Sequence, residues 1–218
     1  MSVSFRVTEE GNGSFEASRP MTGLEVLARD GRTQGNIVAW RVNRYLRPLA
    51  WEVSEDCCVS FVDTSCFEGK EVYRRTLTFL LVLACRKALG REVVVRHSLS
   101  DGYYCETPGE ALSSSQVESV KGAIAELVAL DLPVTREVLS LDRARALFER
   151  QGNLDKAELL RWIGTDPVET YRIGDRNGFF YGPLAPTTGA VGVFDLVFHD
   201  PGMVLRFPTV AYPAQLPP

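Results

Sequence analysis

Histidine is scarce and paired cysteine motifs are missing. Only His97 and His199 occur in 218 residues, too few for a His-rich zinc site. None of the five cysteines (Cys57, Cys58, Cys66, Cys85 and Cys105) lies in a C-x-x-C pair. Adjacent Cys57 and Cys58 on a strand would point to opposite faces. The set therefore reads as reduced and mostly buried thiols rather than a bridge or chelate. No apolar run reaches the roughly 18 residues a membrane span requires. The N-terminus lacks the basic-then-apolar layout of a secretion signal, so no membrane partner is expected and the expected location is the cytoplasm. A phosphate-binding G-x-x-x-x-G-K-[ST] loop is also missing. "FEGKEV" supplies Gly69 and Lys70 but neither the upstream glycine nor the hydroxyl residue.

A surplus of positive charge is lacking too. The formal net charge is −4, which argues against a strong sequence-independent grip on phosphate backbones. One basic stretch, "RVNRYLRP", carries Arg41, Arg44 and Arg47, and its favoured reading is a charged, solvated hairpin edge. What is present is ordinary: 45% hydrophobic and 24% charged residues. A chain this long buries roughly 70% of its unfolded surface and needs no disulfide or metal to fold.

The pattern changes near residue 67, which suggests two units. In the first, "VSFRV" alternates as a strand, "EEGNGS" turns, and "FEAS" starts a second strand. Thr22 can cap a short helix through "GLEVLAR", stopped at Asp30-Gly31. "NIVAWRVN", "RPLAWEV" and "CCVSFVDTS" then read as three strands. Two strands, a helix and further strands is the order of a β-grasp unit.

The second unit opens with "EVYRRTLTFLLVLACRKALG", whose length, leucine content and closing Gly90 favour a buried helix. "REVVVRHSL" and "DGYYCE" form a hairpin about an Asp101-Gly102 turn. Ser115 with Glu118 forms a capping box for "QVESVKGAIAELVALD". "PVTREVL" is a strand, Ser140 can cap "LDRARALFERQG", and Asn153 starts a helix closed by Gly164. "VETYRI", "FFYGPL", "AVGVFDLVFH" and "MVLRFP" make a β-rich tail. The closing "PAQLPP" reads as a linker or chain end after which more protein is expected.

The order of "DGYY", "RALFERQGNLDKAELL" and "YGPLAPTTGAVGVFDL" resembles the editing domain of threonyl-tRNA synthetase. There an H-x-x-x-H helix precedes a "GFYYD"-like hairpin and a "CRGPHVPxT" segment closes the site. The first unit resembles the TGS domain that precedes it in those enzymes. "YRRTLTFLL" and "HSLSDGYYCE" also resemble the amino-terminal region of bacterial uridine kinase-like proteins, which carry a P-loop kinase domain afterwards. The expected fold is thus α+β: a TGS-like β-grasp domain over 1–67, an editing-like domain over 68–212, and a 213–218 linker.

Under the synthetase resemblance, counting back without gaps from Asp101-Gly102 sets the two helix histidines on Arg74 and Thr78. The cysteine and histidine of the closing segment fall on Phe180 and Leu184, and the acidic residue before them on Gly178. None of these can ligate zinc or orient a water, so no metal, cofactor or catalytic residue is expected. Lys156 falls on the family's editing lysine. His97-Ser98 lies outside this frame and reads as a strand histidine. Arg74, Arg75, Tyr103, Tyr104, Lys156 and Tyr181 remain as candidates for a basic, aromatic cleft suited to a nucleotide or RNA ligand. For Arg74 the plainer reading is a pair with Glu71.

The expectation from these residues is a non-catalytic binding or regulatory region of a uridine kinase-like nucleoside phosphotransferase, with ATP binding in a separate C-terminal kinase domain as its partner. The alternatives are a metal-independent aminoacyl-tRNA deacylase that uses Lys156 and an RNA-binding module.

Overall fold

Alternation governs the first strand. In β1 (Phe5–Glu9) residues Phe5, Val7 and Glu9 are buried while Arg6 is exposed, as one covered sheet face requires. The computed structural model describes residues 4–218; Val3, the first residue of the expected strand, lies outside them. A hairpin leads into β2 (Gly13–Ala17). After β3 (Met21–Thr22), Thr22 caps α1 (Gly23–Arg29). Its hydroxyl accepts from the Glu25 amide at 3.3 Å, and Glu25 accepts from the Thr22 amide at 2.8 Å, so two otherwise unpartnered donors are satisfied. β4 (Ile37–Val42), β5 (Tyr45–Arg47), β6 (Glu52–Val53) and β7 (Cys57–Asp63) follow. They build a five-stranded sheet in the order β2-β1-β7-β4-β5, with β1 and β7 parallel; β3 and β6 form a separate pair.

Trp40 is fully buried at the centre of this unit. Its indole N–H donates to the Pro48 carbonyl at 3.1 Å, and the Trp51 amide donates to the same oxygen at 2.9 Å. That shared acceptor holds a turn, and it corrects the expected continuous strand "RPLAWEV" to two short pieces, β5 and β6. Gly23 lies beneath the indole, where an added Cβ would fall 3.0 Å from the ring and 2.9 Å from Leu49.

Beyond residue 67 comes α2 (Phe67–Leu89), closed by Gly90 at φ 66°, the left-handed cap glycine adopts at least cost. Leu77, Leu80, Leu81, Ala84 and Cys85 of α2 pack on Val117, Val120 and Ile124 of α3 (Ser114–Ala129). The hairpin β8 (Val94–Leu99) and β9 (Gly102–Glu106) turns at Ser100-Asp101, one residue earlier than expected: Leu99 pairs with Gly102 and Ser100 takes φ 49°. Gly102 belongs to the strand because a Cβ there would sit 2.7 Å from the Leu205 carbonyl. The α3 cap is likewise Ser113 with Gln116 rather than Ser115 with Glu118. Ser113 satisfies the same spacing, and Ser115 lies inside the first turn.

β10 (Thr135–Leu139), α4 (Leu141–Arg150), α5 (Leu154–Leu159), β11 (Val168–Ile173) and β12 (Arg176–Gly178) follow, then β13 (Asp195–His199) and β14 (Gly202–Arg206). Two sheets result, β10-β11-β12 and β13-β14-β9-β8. "FFYGPL" is not a strand, and the strand expected in "AVGVFDLVFH" begins only at Asp195. Phe180 packs on Phe79 and Leu184 enters the core, so this stretch is held by side-chain packing instead of ladder bonds. The molecule is thus a mixed α+β fold with several sheets.

The two halves meet where Val38, Ala39 and Val62 pack on Val72 and Ala185. Arg41 crosses this junction to pair with Glu68, so it belongs to no free basic patch. Lys70, 1% exposed, donates to the Pro213 carbonyl at 2.8 Å, and Arg206 donates to the Pro217 carbonyl at 2.5 Å; residues 213–218 pack against the body through these contacts. Among the described residues no helix is long and apolar enough to cross a membrane.

Candidate functional site

Adjacent arginines on α2 lie about 100° apart around the helix axis, and they take different partners. Arg74 pairs with Glu71 one turn back, as its plainer sequence reading expects, and its guanidinium lies 5.5 Å from the centre of the Phe207 ring. Arg75 instead reaches the segment after β12. Its Nε donates to the Pro183 carbonyl at 3.1 Å, and a Cβ on Gly182 would lie 3.2 Å from its Cζ. Gly182 sits at φ +106°, which a side chain would make costly.

One turn further along α2, Phe79 meets Phe180 with ring centres 5.3 Å apart. The Thr76 hydroxyl accepts from the Ala185 amide at 2.9 Å and donates to Val72 at 2.8 Å. The face of α2 that looks on residues 178–185 is therefore Arg75, Thr76 and Phe79. Thr78 turns its hydroxyl back to the Arg74 carbonyl at 2.8 Å. An ungapped count can drift within a helix, where one residue rotates a side chain by about 100°. Gly178 is buried, and a Cβ there would fall 2.6 Å from Phe180 and 3.1 Å from Phe79. Leu184 is 1% exposed in the core.

Lys156 approaches from α5. Its Nζ lies 5.8 Å from the centre of Phe180 and 5.9 Å from that of Phe148. Among the described residues no carboxylate comes within 4.0 Å to pair with it. Burial lowers its pKa below the usual lysine value; Glu92 opposes the shift and Arg86 adds to it. Desolvation likewise lowers that of Arg75, with Glu71 opposing. Near Arg75, the Tyr171 hydroxyl on β11 is buried, which raises its pKa.

Tyr181 stands outside, 71% exposed, with its ring edge-on to Phe179 at 5.1 Å. The remaining candidates lie elsewhere. Tyr103 packs edge-on to Phe207 at 4.9 Å on the inner face of its sheet. Tyr104, on the outer face, sits between His97 at 5.2 Å and His199 at 5.5 Å. Among the described residues no three His, Cys, Asp or Glu side chains are placed to hold a metal ion. The five cysteines are unbridged, and burial pushes the Cys105 thiol up to about 12, which leaves it protonated and unreactive.

Arg75 thus reaches Gly182 and Pro183 and Lys156 the Phe180 ring, while Arg74 turns to Glu71 and Tyr104 to the two histidines. Phe79, Phe148 and Tyr171 belong to the site but give no sequence signal of it, because helix and strand patterning marks an aromatic as core without saying which cleft it lines.

A half-buried lysine over two phenyl rings is the clearest candidate group of this α+β protein. No family model matches the chain. It is 31% identical over 183 residues to the threonine–tRNA ligase of Acidithiobacillus ferrooxidans, covering 82% of this chain and 28% of that protein. It is 27% identical to the Pelagibacter ubique threonine–tRNA ligase over 86% of this chain and 30% of that one. For the Syntrophotalea carbinolica threonine–tRNA ligase the identity is 32%, over 73% and 26%. The chain spans under a third of the length of these relatives. Their shared name overturns the expectation of a uridine kinase regulatory region: neither nucleoside kinase nor transferase of that kind is found among them, and nothing supports a C-terminal kinase partner.

Proposed function

We propose that the chain is a tRNA-editing-type module: a TGS-like β-grasp unit over 1–67, an editing-like unit over 68–212, and a closing 213–218 segment, acting as a metal-independent aminoacyl-tRNA deacylase. One observation carries this reading: Lys156, which the resemblance sets on the family's editing lysine, is half-buried over Phe148 and Phe180 with no paired carboxylate. An unneutralised ammonium in a partly desolvated cleft stabilises negative charge far better than a surface lysine does. Similarity to threonine–tRNA ligases over most of the chain supports the same substrate class.

The step is ester hydrolysis. Water adds to the acyl carbon, the bond from that carbon to the ribose oxygen breaks, and the proton from water passes to the ribose oxygen. Lys156 stabilises the oxyanion formed between addition and cleavage, and a ribose hydroxyl of the substrate orders the water. Arg75, Thr76 and Phe79, the α2 side chains that face residues 178–185, are not zinc ligands, which supports a route carried by lysine and substrate alone.

Incubation with mischarged threonine tRNA tests the reading. Turnover at 10²-fold or more above the uncatalysed rate, lost in Lys156→Ala with the fold intact, is the expected result. Equal rates for both proteins would overturn it.

A further inference from the structure

Trp51 of the first unit is shared by two guanidinium groups. Arg47, on β5, holds its Cζ 4.1 Å from the centre of the indole ring, and Arg136, on β10 of the second unit, holds its own at 4.5 Å. The indole therefore joins the units through a cation–π contact, a kind that is strongest with tryptophan. Arg136 also donates through Nη2 to Glu169 on β11 at 2.7 Å. Its Nε is buried and finds no oxygen or nitrogen acceptor among the described residues, so Trp51 is the partner this guanidinium has besides Glu169.

The register of the three-stranded sheet carries this contact inward. Arg136 stands opposite Tyr171, and Tyr171 opposite Gly178; residues directly opposite one another share a face. The three form one row across two strand spacings, about 10 Å. Tyr171 is 2% exposed, and a close-packed interior leaves such a side chain little room to absorb a displacement. At the far end Gly178 has no side chain, and a Cβ there would fall 2.6 Å from Phe180. The centre of the Phe180 ring in turn lies 5.8 Å from the Lys156 Nζ. We infer that Trp51 is a positioning residue for Lys156: through Arg136, Tyr171 and Gly178, the first unit sets where Phe180 lies against the ammonium group. The inference rests on the Lys156 site of the proposed function but is read out without any hydrolysis.

An NMR titration of the Lys156 side chain in the full, lysine-labelled chain tests it. Glu92 and Arg86 also act on that ammonium, and neither belongs to the row. Trp51→Ala and Arg136→Gln each raise the Lys156 midpoint by about half a pH unit or more, because looser packing rehydrates the ammonium. Trp51→Phe, which keeps an aromatic face, stays near wild type. So does Arg41→Ala, which opens a different polar contact between the units. A shift in only one of Trp51→Ala and Arg136→Gln, a shift in neither, or an equal shift in Arg41→Ala overturns the proposal. Should Trp51→Ala fail to fold, Trp51→Leu takes its place with the same shift expected. With mischarged threonine tRNA, Trp51→Ala lowers kcat about tenfold while KM stays within about twofold; an unchanged kcat in a chain that deacylates overturns the proposal as well. A wild type without turnover, whose midpoint still moves in both variants, sinks the deacylase reading alone. Turnover lost in Lys156→Ala, with no shift in the row variants, sinks only the positioning of Lys156 by Trp51.

Discussion

Carboxylates neutralise five of the first unit's seven arginines, Arg44 and Arg47 excepted, whereas Arg75 and Lys156 of the second unit stand unpaired. Arg6, Arg19, Arg29, Arg32 and Arg41 each meet a carboxylate, and the buried Trp40 indole has its acceptor. Arg75 and Lys156 have none within 4.0 Å. Paired charges at a surface add little stability, but they cancel the local field. Unpaired ones in a half-buried cleft cost desolvation and keep their field for a ligand. The contrast separates charges paired within a surface from two second-unit cations left without a carboxylate.

Four substitutions, one of them followed across pH, sharpen or break that contrast. Trp40→Ala has the largest expected effect: loss of a fully buried indole costs about 3–5 kcal/mol in denaturant unfolding. Hydrogen exchange should keep the amides of α2 and α3 protected, since the two cores share only the small junction cluster; a uniform loss of protection would erase the distinction between the units. Thr76→Ala comes next. It leaves the buried Ala185 amide without its acceptor, at about 1–3 kcal/mol, and it should loosen the 178–185 segment as seen by limited proteolysis within "FFYGPL".

Lys156→Met tests the open charge directly. Folding lowers the Lys156 pKa, so its penalty is fully present below the folded value and disappears above the unfolded one. The variant should therefore melt a few degrees higher than wild type at pH 7, with the gap closing as pH rises towards about 10.5. A gap constant with pH would mean the ammonium is not desolvated. Arg41→Ala should do least. Its pair with Glu68 is more than a third exposed at both ends, so less than about 1 kcal/mol is expected, measured as a shift of the unfolding midpoint.

Residues that act locally were legible from order alone. Thr22 before "GLEVLAR" and Gly90 after a leucine-rich run each mark a helix end through bonds made within a few residues, and both ends fall there. Competing local solutions misled: Ser113 and Ser115 both fit a cap, and "SDG" offers two turns one residue apart. "RPLAWEV" was unreadable for another reason, because the shared Pro48 acceptor depends on Trp40, eight residues earlier and on another strand. In the cleft, Lys156 carried a signal through its neighbours in "NLDKAELL", but an ungapped count pointed to Arg74 and Thr78 where Arg75 and Phe79 face the segment.

By itself, then, the sequence determined an α+β chain with a long buried helix, capped short helices, unbridged thiols and a lysine worth testing, since each follows from spacing, capping chemistry or counting. Only the tertiary structure decided which side of α2 meets the 178–185 backbone, and that Arg75 rather than Arg74 reaches Pro183. The reason is physical: a helix presents a new direction with every residue, and which direction becomes a site depends on distant segments that no local pattern encodes.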